Sequence, residues 1–350
     1  MPGNLRAIAD TNTPIPEGTA NFDAFSEFSI STQGSAVVFA GGHTVPFNSF
    51  SGVYRKDGNG PLVRVADTST PLPDGSGLFP RFYFFAGASP EYTVFTAVLN
   101  DLFENPSVVG LYLAPTNGPI VAIADPNTLM PGTTLGFTGA SGSVIDNGRV
   151  AFVGANSEVE PIEGGVFVYD IATGAIDTII RLHDTLPNGQ PLEFFNKPSI
   201  SADVVAFTGG TSDLGNDRAI YASIDGELHR IVGKGDVLEG RRVDFLGYEA
   251  EGHDGNSFAF AVLSSPTPEH PTWYTAIYVA TLNLPCPPTS TPTPSSPAPI
   301  SPPSSRHGSS TSPPEPSQPT STPPAPPGPP TSPPSSARGS TPSQADADRP

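Results

Sequence analysis

The sequence predicts an all-β chain: a five-bladed β-propeller with four antiparallel strands per blade, its ring closed by the N-terminal strand, followed by a disordered Pro/Ser/Thr-rich tail. Three observations predict it. A small apolar run ending in Phe returns at Phe39, Phe95, Phe152, Phe207 and Phe260, at spacings of 53 to 57 residues. Self-similarity of this period marks stacked or radial repeats, because one repeat cannot bury its own apolar face alone. Each repeat holds four short β-branched or aromatic segments divided by Gly, Pro, Asn and Asp, a pattern that excludes helical repeats. Finally, the last repeat lacks its fourth strand, and a matching strand stands at the start of the chain.

The first repeat shows the elements in order. Its strands are expected at about 22–31, 36–41, 52–56 and 61–67. Asn, Asp and Gly tolerate positive φ and mark the hairpin turns, as in Asp146-Asn147-Gly148 and Asp254-Gly255-Asn256 between first and second strands. Asp57-Gly58-Asn59-Gly60 and Asp225-Gly226 mark turns between third and fourth strands. The third strands align as Gly52-Val53-Tyr54, Gly110-Leu111-Tyr112, Gly165-Val166-Phe167, Ala219-Ile220-Tyr221 and Ala276-Ile277-Tyr278. The fourth strands align at 62–67, 120–125, 176–182 and 228–232, and none follows Leu282. Leu5-Arg6-Ala7-Ile8-Ala9-Asp10 matches Leu62-Val63-Arg64-Val65-Ala66-Asp67 instead. An open solenoid has no reason to split one repeat across its termini, whereas a closed ring removes a free sheet edge that way. The repeats are therefore 22–77, 78–135, 136–192, 193–242, and 243–282 plus strand 5–10, within a domain spanning 1–284.

Residues 285–350 hold about half of the 44 prolines and almost no large apolar side chains. Such a segment cannot bury enough surface to offset its ordering entropy. It reads as a flexible spacer or stalk. The tail is charge-neutral, with three Arg against Glu315, Asp346 and Asp348, so the net charge of −18 lies in the domain. An acidic domain argues against nucleic acid as a partner. Cys286 is the single cysteine, so no intrachain disulfide forms. No apolar run is long enough to span a membrane. Met1 to Asp10 lacks the charged start and apolar stretch of a signal peptide. The chain is expected to be a monomer.

The recurrent link between repeats is the strongest motif. It reads Ala9-Asp10-Thr11-Asn12-Thr13-Pro14-Ile15-Pro16-Glu17-Gly18, then Ala66-Asp67 through Asp74-Gly75, Ala124-Asp125 through Pro131-Gly132, His183-Asp184 through Asn188-Gly189, and Gly235-Asp236 through Glu239-Gly240. A Phe follows each copy: Phe22, Phe79, Phe137, Phe194 and Phe245. With Asp146-Asn147-Gly148-Arg149-Val150-Ala151-Phe152, the chain resembles a group of uncharacterised, mostly bacterial repeat proteins with Gly-Asp-x-x-Pro-Gly-like linkers, predicted to be exported propellers. The resemblance covers residues 5–282, and the first two linkers depart from it by carrying Ala-Asp. It implies the fold and a secreted or cell-surface location. It implies no activity.

Asp can accept hydrogen bonds from nearby backbone N–H groups, so the linker aspartates read first as turn formers. Their functional alternative is a calcium set, Asp10, Asp67, Asp125, Asp184 and Asp236, although their spacing fits no 12-residue calcium loop. No other cofactor is expected. The loops between second and third strands vary most and are expected to carry binding specificity. They supply Asn100, Asp101, Asn156, Asp213, His270 and the sole tryptophan, Trp273. Polar loops with an aromatic suit a sugar, through stacking and hydrogen bonds to hydroxyls. The leading expectation is a binding or adhesion module for a glycan or a surface protein, without catalysis. The alternatives are a propeller glycoside hydrolase using carboxylates such as Asp23, Glu193 and Asp244, and a structural surface protein with no small ligand. Hydrolysis needs two carboxylates about 5–10 Å apart, and no repeat carries a distinctive acidic signature.

Overall fold

The computed structural model describes residues 6–26, 31–33, 35–43, 52–100, 108–211, 217–268 and 271–282. All lie in the first of two units into which the chain divides, Met1–Pro287. Cys286 and the Pro-rich segment lie outside the described residues.

The described fold is all-β and β-propeller-like, with one 3₁₀ turn at Ala250–Gly252. Its strands follow the repeats as antiparallel meanders. The first repeat has Ala24–Phe25 and Ser31–Gln33, both paired with Ala36–Gly42, then Gly52–Asp57 and Leu62–Asp67. The second has Arg81–Ala88, Tyr92–Val98, Val109–Pro115 and Val121–Ala124. The third has Gly139–Asp146, Arg149–Asn156, Glu163–Asp170 and Ile176–Arg181. The fourth has Phe194–Ser201, Val204–Gly210, Ala219–Ile224 and Glu227–Gly233. The fifth has Phe245–Gly247 with His253–Asp254, then Ser257–Ser264 and Tyr274–Thr281. A single parallel bridge, Gly139 to Val109, joins the second and third sheets.

The turns form where the sequence places them. Asn147 and Gly148 have φ of 45° and 74°, and Asp225 and Gly226 have 52° and 81°. These are the paired positive angles of a tight hairpin turn. Between third and fourth strands the register slips at one place in every complete repeat, at Val53/Tyr54, Leu111/Tyr112, Val166/Phe167 and Ile220/Tyr221. A bulge there sharpens the twist of the outer strand.

Each sheet has an aromatic face and an aliphatic face. On the aromatic face, the second-strand Phe lies against the third-strand ring, as in Phe95–Tyr112 at 5.7 Å and Phe152–Phe167 at 5.6 Å. A third ring from the preceding linker stands edge-on to them, Phe79 to Tyr112 at 4.8 Å and Phe137 to Phe167 at 5.3 Å. The aliphatic face of one sheet covers the aromatic face of the next. Ala36, Val38, Val53 and Ala66 thus pack against Phe79, Phe95 and Tyr112. The third-strand glycine is part of this design. A Cβ on Gly110 would stand 2.7 Å from the Tyr112 hydroxyl, because the ring folds back over the residue two places before it.

Two features depart from strict repetition of the sequence pattern. The Phe residues after the linkers are not all equivalent. Phe22, Phe79 and Phe137 are buried, whereas Phe245 is 55% exposed. Leu192 and Val243 take the buried place in the last two linkers. The physical reason is length. Twelve residues separate Asp10 from Phe22, but eight separate Asp184 from Leu192 and seven separate Asp236 from Val243.

Ring closure through the N-terminal strand is likewise absent from the described residues. Residues 6–10 form no strand, and Leu5 lies outside the described residues. Tyr274–Thr281 pairs with Ser257–Ser264 alone. Arg6 instead donates to Asn59 Oδ1 at 2.6 Å and to the Gly58 carbonyl at 2.7 Å, tying the segment to the first repeat. Ile277 and Val279 on the last strand are left 78% and 66% exposed.

Candidate functional site

The linkers fold as miniature hairpins. In the first, Thr13 N–H donates to the Asp10 carbonyl and Phe22 N–H to the Thr13 carbonyl, with the same pair at Thr70–Asp67 and Phe79–Thr70. The aspartate carboxylates serve these turns. Asp10 Oδ1 accepts from Asn12 N–H at 3.0 Å and from the Thr13 hydroxyl at 2.8 Å. Asp67 Oδ1 accepts from Ser69 N–H at 2.9 Å, and its Oδ2 accepts from Arg64 at 2.5 Å. Asp125 accepts from Asn127 N–H and the Thr128 hydroxyl, and Asp184 from Arg181 N–H at 2.8 Å. Asp236 takes both Arg230 nitrogens at 2.9 Å and Gly233 N–H at 2.8 Å. The hydrogen bond from Thr13 holds the Asp10 carboxyl below its ordinary range. For Asp67, burial alone would raise the carboxyl, but Ser69, Arg64 and Thr70 together outweigh it and hold it down. Among the described residues, no three His, Cys, Asp or Glu side chains come together as a metal cluster.

The loop residues divide. Asn100 Oδ1 accepts from Val108 N–H at 2.9 Å. Asn156 is buried, donates to the Gly136 carbonyl at 2.7 Å, and accepts from Glu158 N–H. Asn100 shapes its own loop, whereas Asn156 also ties its loop to the preceding linker. Asp101, Asp213 and His270 lie outside the described residues. Trp273 is 64% exposed. Of the carboxylates weighed for hydrolysis, Asp23 stands 2.8 Å from His43 Nδ1, Asp244 accepts from Ser265 N–H at 2.6 Å, and Glu193 is exposed.

The last linker builds a feature that sequence reasoning missed. Val237 pairs with Arg242 and Leu238 with Arg241 around a turn at Glu239 and Gly240, whose φ angles are 51° and 78°. Between this hairpin and the loop 264–268 opens a cleft of about 490 Å³. Arg241 and Arg242 line it, with Asp244, Ser264 and Ser265. The Arg241 guanidinium stacks over the Tyr274 ring at 4.3 Å, and Trp273 adjoins that ring in sequence. Hydrogen bonds from Ser265, then the nearby Arg242 and Lys234, hold the Asp244 carboxyl below its usual range. The available signal was the Gly240-Arg241-Arg242 run in an acidic chain.

A second missed cluster is buried between the fourth and fifth repeats. His253 Nε2 lies 2.9 Å from the Gly255 carbonyl, which only accepts, so Nε2 carries the proton. Nδ1 of the neutral ring then accepts from Ser199 at 2.9 Å, and the Tyr248 hydroxyl donates to Ser199 at 2.5 Å. Burial pushes the His253 pKa down. The cluster ties the fourth sheet to the fifth, with Ser199 fully buried and His253 8% exposed.

Known structures with similar chains share little sequence. The β-propeller domain of the Trilobed protease from Pyrococcus furiosus is 11% identical, with a TM-score of 0.44, over 75% of this chain and 71% of that one. Oligogalacturonate lyase from Vibrio parahaemolyticus is 10% identical, with a TM-score of 0.39, over 70% of this chain and 62% of that one. The acylaminoacyl peptidase of Pyrococcus horikoshii is 11% identical, with a TM-score of 0.40, over 73% of this chain, which spans 38% of the peptidase. No curated protein sequence matches significantly. Residues 1–256 match a family profile described as Family of unknown function (DUF7453), so the chain belongs to that family.

Proposed function

We propose that this protein is a non-catalytic binding module for glycans, built on a closed five-bladed propeller and displayed outside the cell. One observation carries the binding reading. The linker aspartates are spent on their own turns and on neighbouring arginines, while Trp273 stands 64% exposed a few residues after the cleft-lining loop in sequence. An exposed indole offers an apolar plane with a polar edge, which suits the C–H face of a sugar ring. The linker carboxylates are already hydrogen-bonded, so binding is expected without calcium.

Closure is supported by the packing of the N-terminal segment on the first sheet. Ile8, Ala9 and Ile15 lie against Phe22, Phe39 and Tyr54. The equivalent residues Val65, Ala66 and Leu72 lie against Phe79, Phe95 and Tyr112. The N-terminal segment thus meets the first sheet as the fourth strand and linker of the first repeat meet the second sheet, and among the described residues the fifth sheet has no fourth strand. A glycan array probed with and without Ca²⁺ tests the function. Selective binding that Trp273→Ala abolishes is expected. Binding to no glycan, or binding indifferent to Trp273, would overturn it.

A further inference from the structure

We infer that the cleft between the Val237–Arg242 hairpin and the loop 264–268 takes an anionic sugar, a hydroxylated ring bearing a carboxylate. This rests on the glycan-binding reading and names the class of glycan. The chain carries a net charge of −18, and several of its part-buried arginines are matched by carboxylates. Arg55 pairs with Asp57, Arg64 with Asp67, Arg149 with Asp203 and Arg230 with Asp236. Arg241 and Arg242 line the cleft side by side, and neither makes an ion pair among the described residues.

The surroundings favour an organic anion over water alone. Asp244, the carboxylate lining the cleft, is turned to Ser265 N–H. Glu239, at the hairpin turn, receives the Tyr278 hydroxyl at 3.4 Å. Stacking on Tyr274 fixes the plane of the Arg241 guanidinium, whose edge can present paired N–H donors to a carboxylate. Ser264 also lines the cleft. It is 3% exposed, and its hydroxyl has no hydrogen-bond partner. A buried donor left unmade is costly, and a ligand oxygen would satisfy it. A volume of about 490 Å³ admits one or two sugar rings.

Calorimetric titration of the full chain tests this, with trigalacturonate, its neutral methyl ester and sodium sulfate as probes. The acid trimer should bind at least about tenfold more tightly than the ester, and the difference should shrink as salt rises. Arg241→Gln with Arg242→Gln should weaken acid binding about tenfold or more, and Arg241→Lys with Arg242→Lys by a smaller factor, because charge is kept and the fork is lost. The melting temperature of both variants should match the parent. Ser264→Ala should weaken acid binding about threefold or more. Equal affinity for acid and ester, unchanged by the arginine variants, would overturn the anionic inference and leave the glycan reading standing. Sulfate binding as tightly as the trimer would retain the anion site and sink the glycan reading. No binding of trimer or sulfate would overturn the inference, with the array then deciding the glycan reading separately.

Discussion

Truncation of Ile277 separates an open arrangement of the end sheets from a closed one. Register with the second strand, Phe260 opposite Tyr278, makes Ile277 the counterpart of Val53, Leu111, Val166 and Ile220. Those four are between 0% and 1% exposed, because the next sheet covers them, while Ile277 is 78% exposed. A surface truncation away from special features changes stability by about 0.5 kcal/mol or less. If residues 5–10 add the missing strand and the first sheet packs over it, Ile277→Ala should instead cost about 2–5 kcal/mol, the loss for a buried Ile. Ile220→Ala is the internal standard, since Ile220 sits at the same position and is fully buried. Urea unfolding of the full chain, followed by near-UV circular dichroism, reads both losses under one condition. Closure predicts comparable losses for the two variants. A loss of several kcal/mol for Ile220→Ala with none for Ile277→Ala would refute the closed ring.

Three further outcomes follow from the described packing. Phe152→Ala removes a fully buried ring that meets Phe137 at 5.8 Å and Phe167 at 5.6 Å, and should cost about 3–5 kcal/mol in the same unfolding assay. His253 has a folded pKa below its ordinary 6.5, so its neutral form stabilises the fold fully above that value, and this contribution is lost as pH falls through the folded pKa. Asp254 and Asp146 face it and temper the shift. Urea midpoints measured from neutral to mildly acid pH should decline for the parent and decline less for His253→Gln. Asp67 is depressed in the folded state, so its contribution is present above 3.8 and disappears as pH falls further. Asp67→Asn should flatten that acid limb, and an unchanged limb would show that the Ser69–Arg64–Thr70 bonds carry no charge dependence.

What the sequence disclosed is what local chemistry decides. Alternating apolar residues between Asn, Asp and Gly turns are a short-range signal, and strands such as Arg149–Asn156 and Glu163–Asp170 lie where that signal puts them. The aromatic set was legible because a repeat copies the same packing problem. Departures arose where a position depends on length or on distant partners. Phe194 and Phe245 look like Phe22 in sequence, but the shorter linkers bring Leu192 and Val243 into the core first. Ser199 and His253 are separated by 54 residues and meet because neighbouring sheets pack, which no window of sequence reports. The arginine cleft was hidden for a similar reason. Its opposite wall is the 264–268 loop, which only the folded fifth sheet brings to the hairpin.

The end sheets explain why the regularity of the repeats bears on assembly as well as shape. Every interface pairs unlike surfaces, aliphatic on one sheet and aromatic on the next. A head-to-tail interface of this kind either closes into a ring or continues from one chain to another. The first sheet presents the aromatic half at Phe22, Phe39 and Tyr54, and the last presents the aliphatic half at Ile277 and Val279. The two halves are complementary in kind, although only the aromatic one is covered among the described residues. Ile8 and Ala9 already cover the aromatic half, and their segment matches in sequence the fourth strand that the last sheet does not have among the described residues. One short segment can therefore complete the last sheet and shield the first. In the proposed closed ring, the N-terminal residues rather than any single core position would decide whether the repeats end in a ring or a filament.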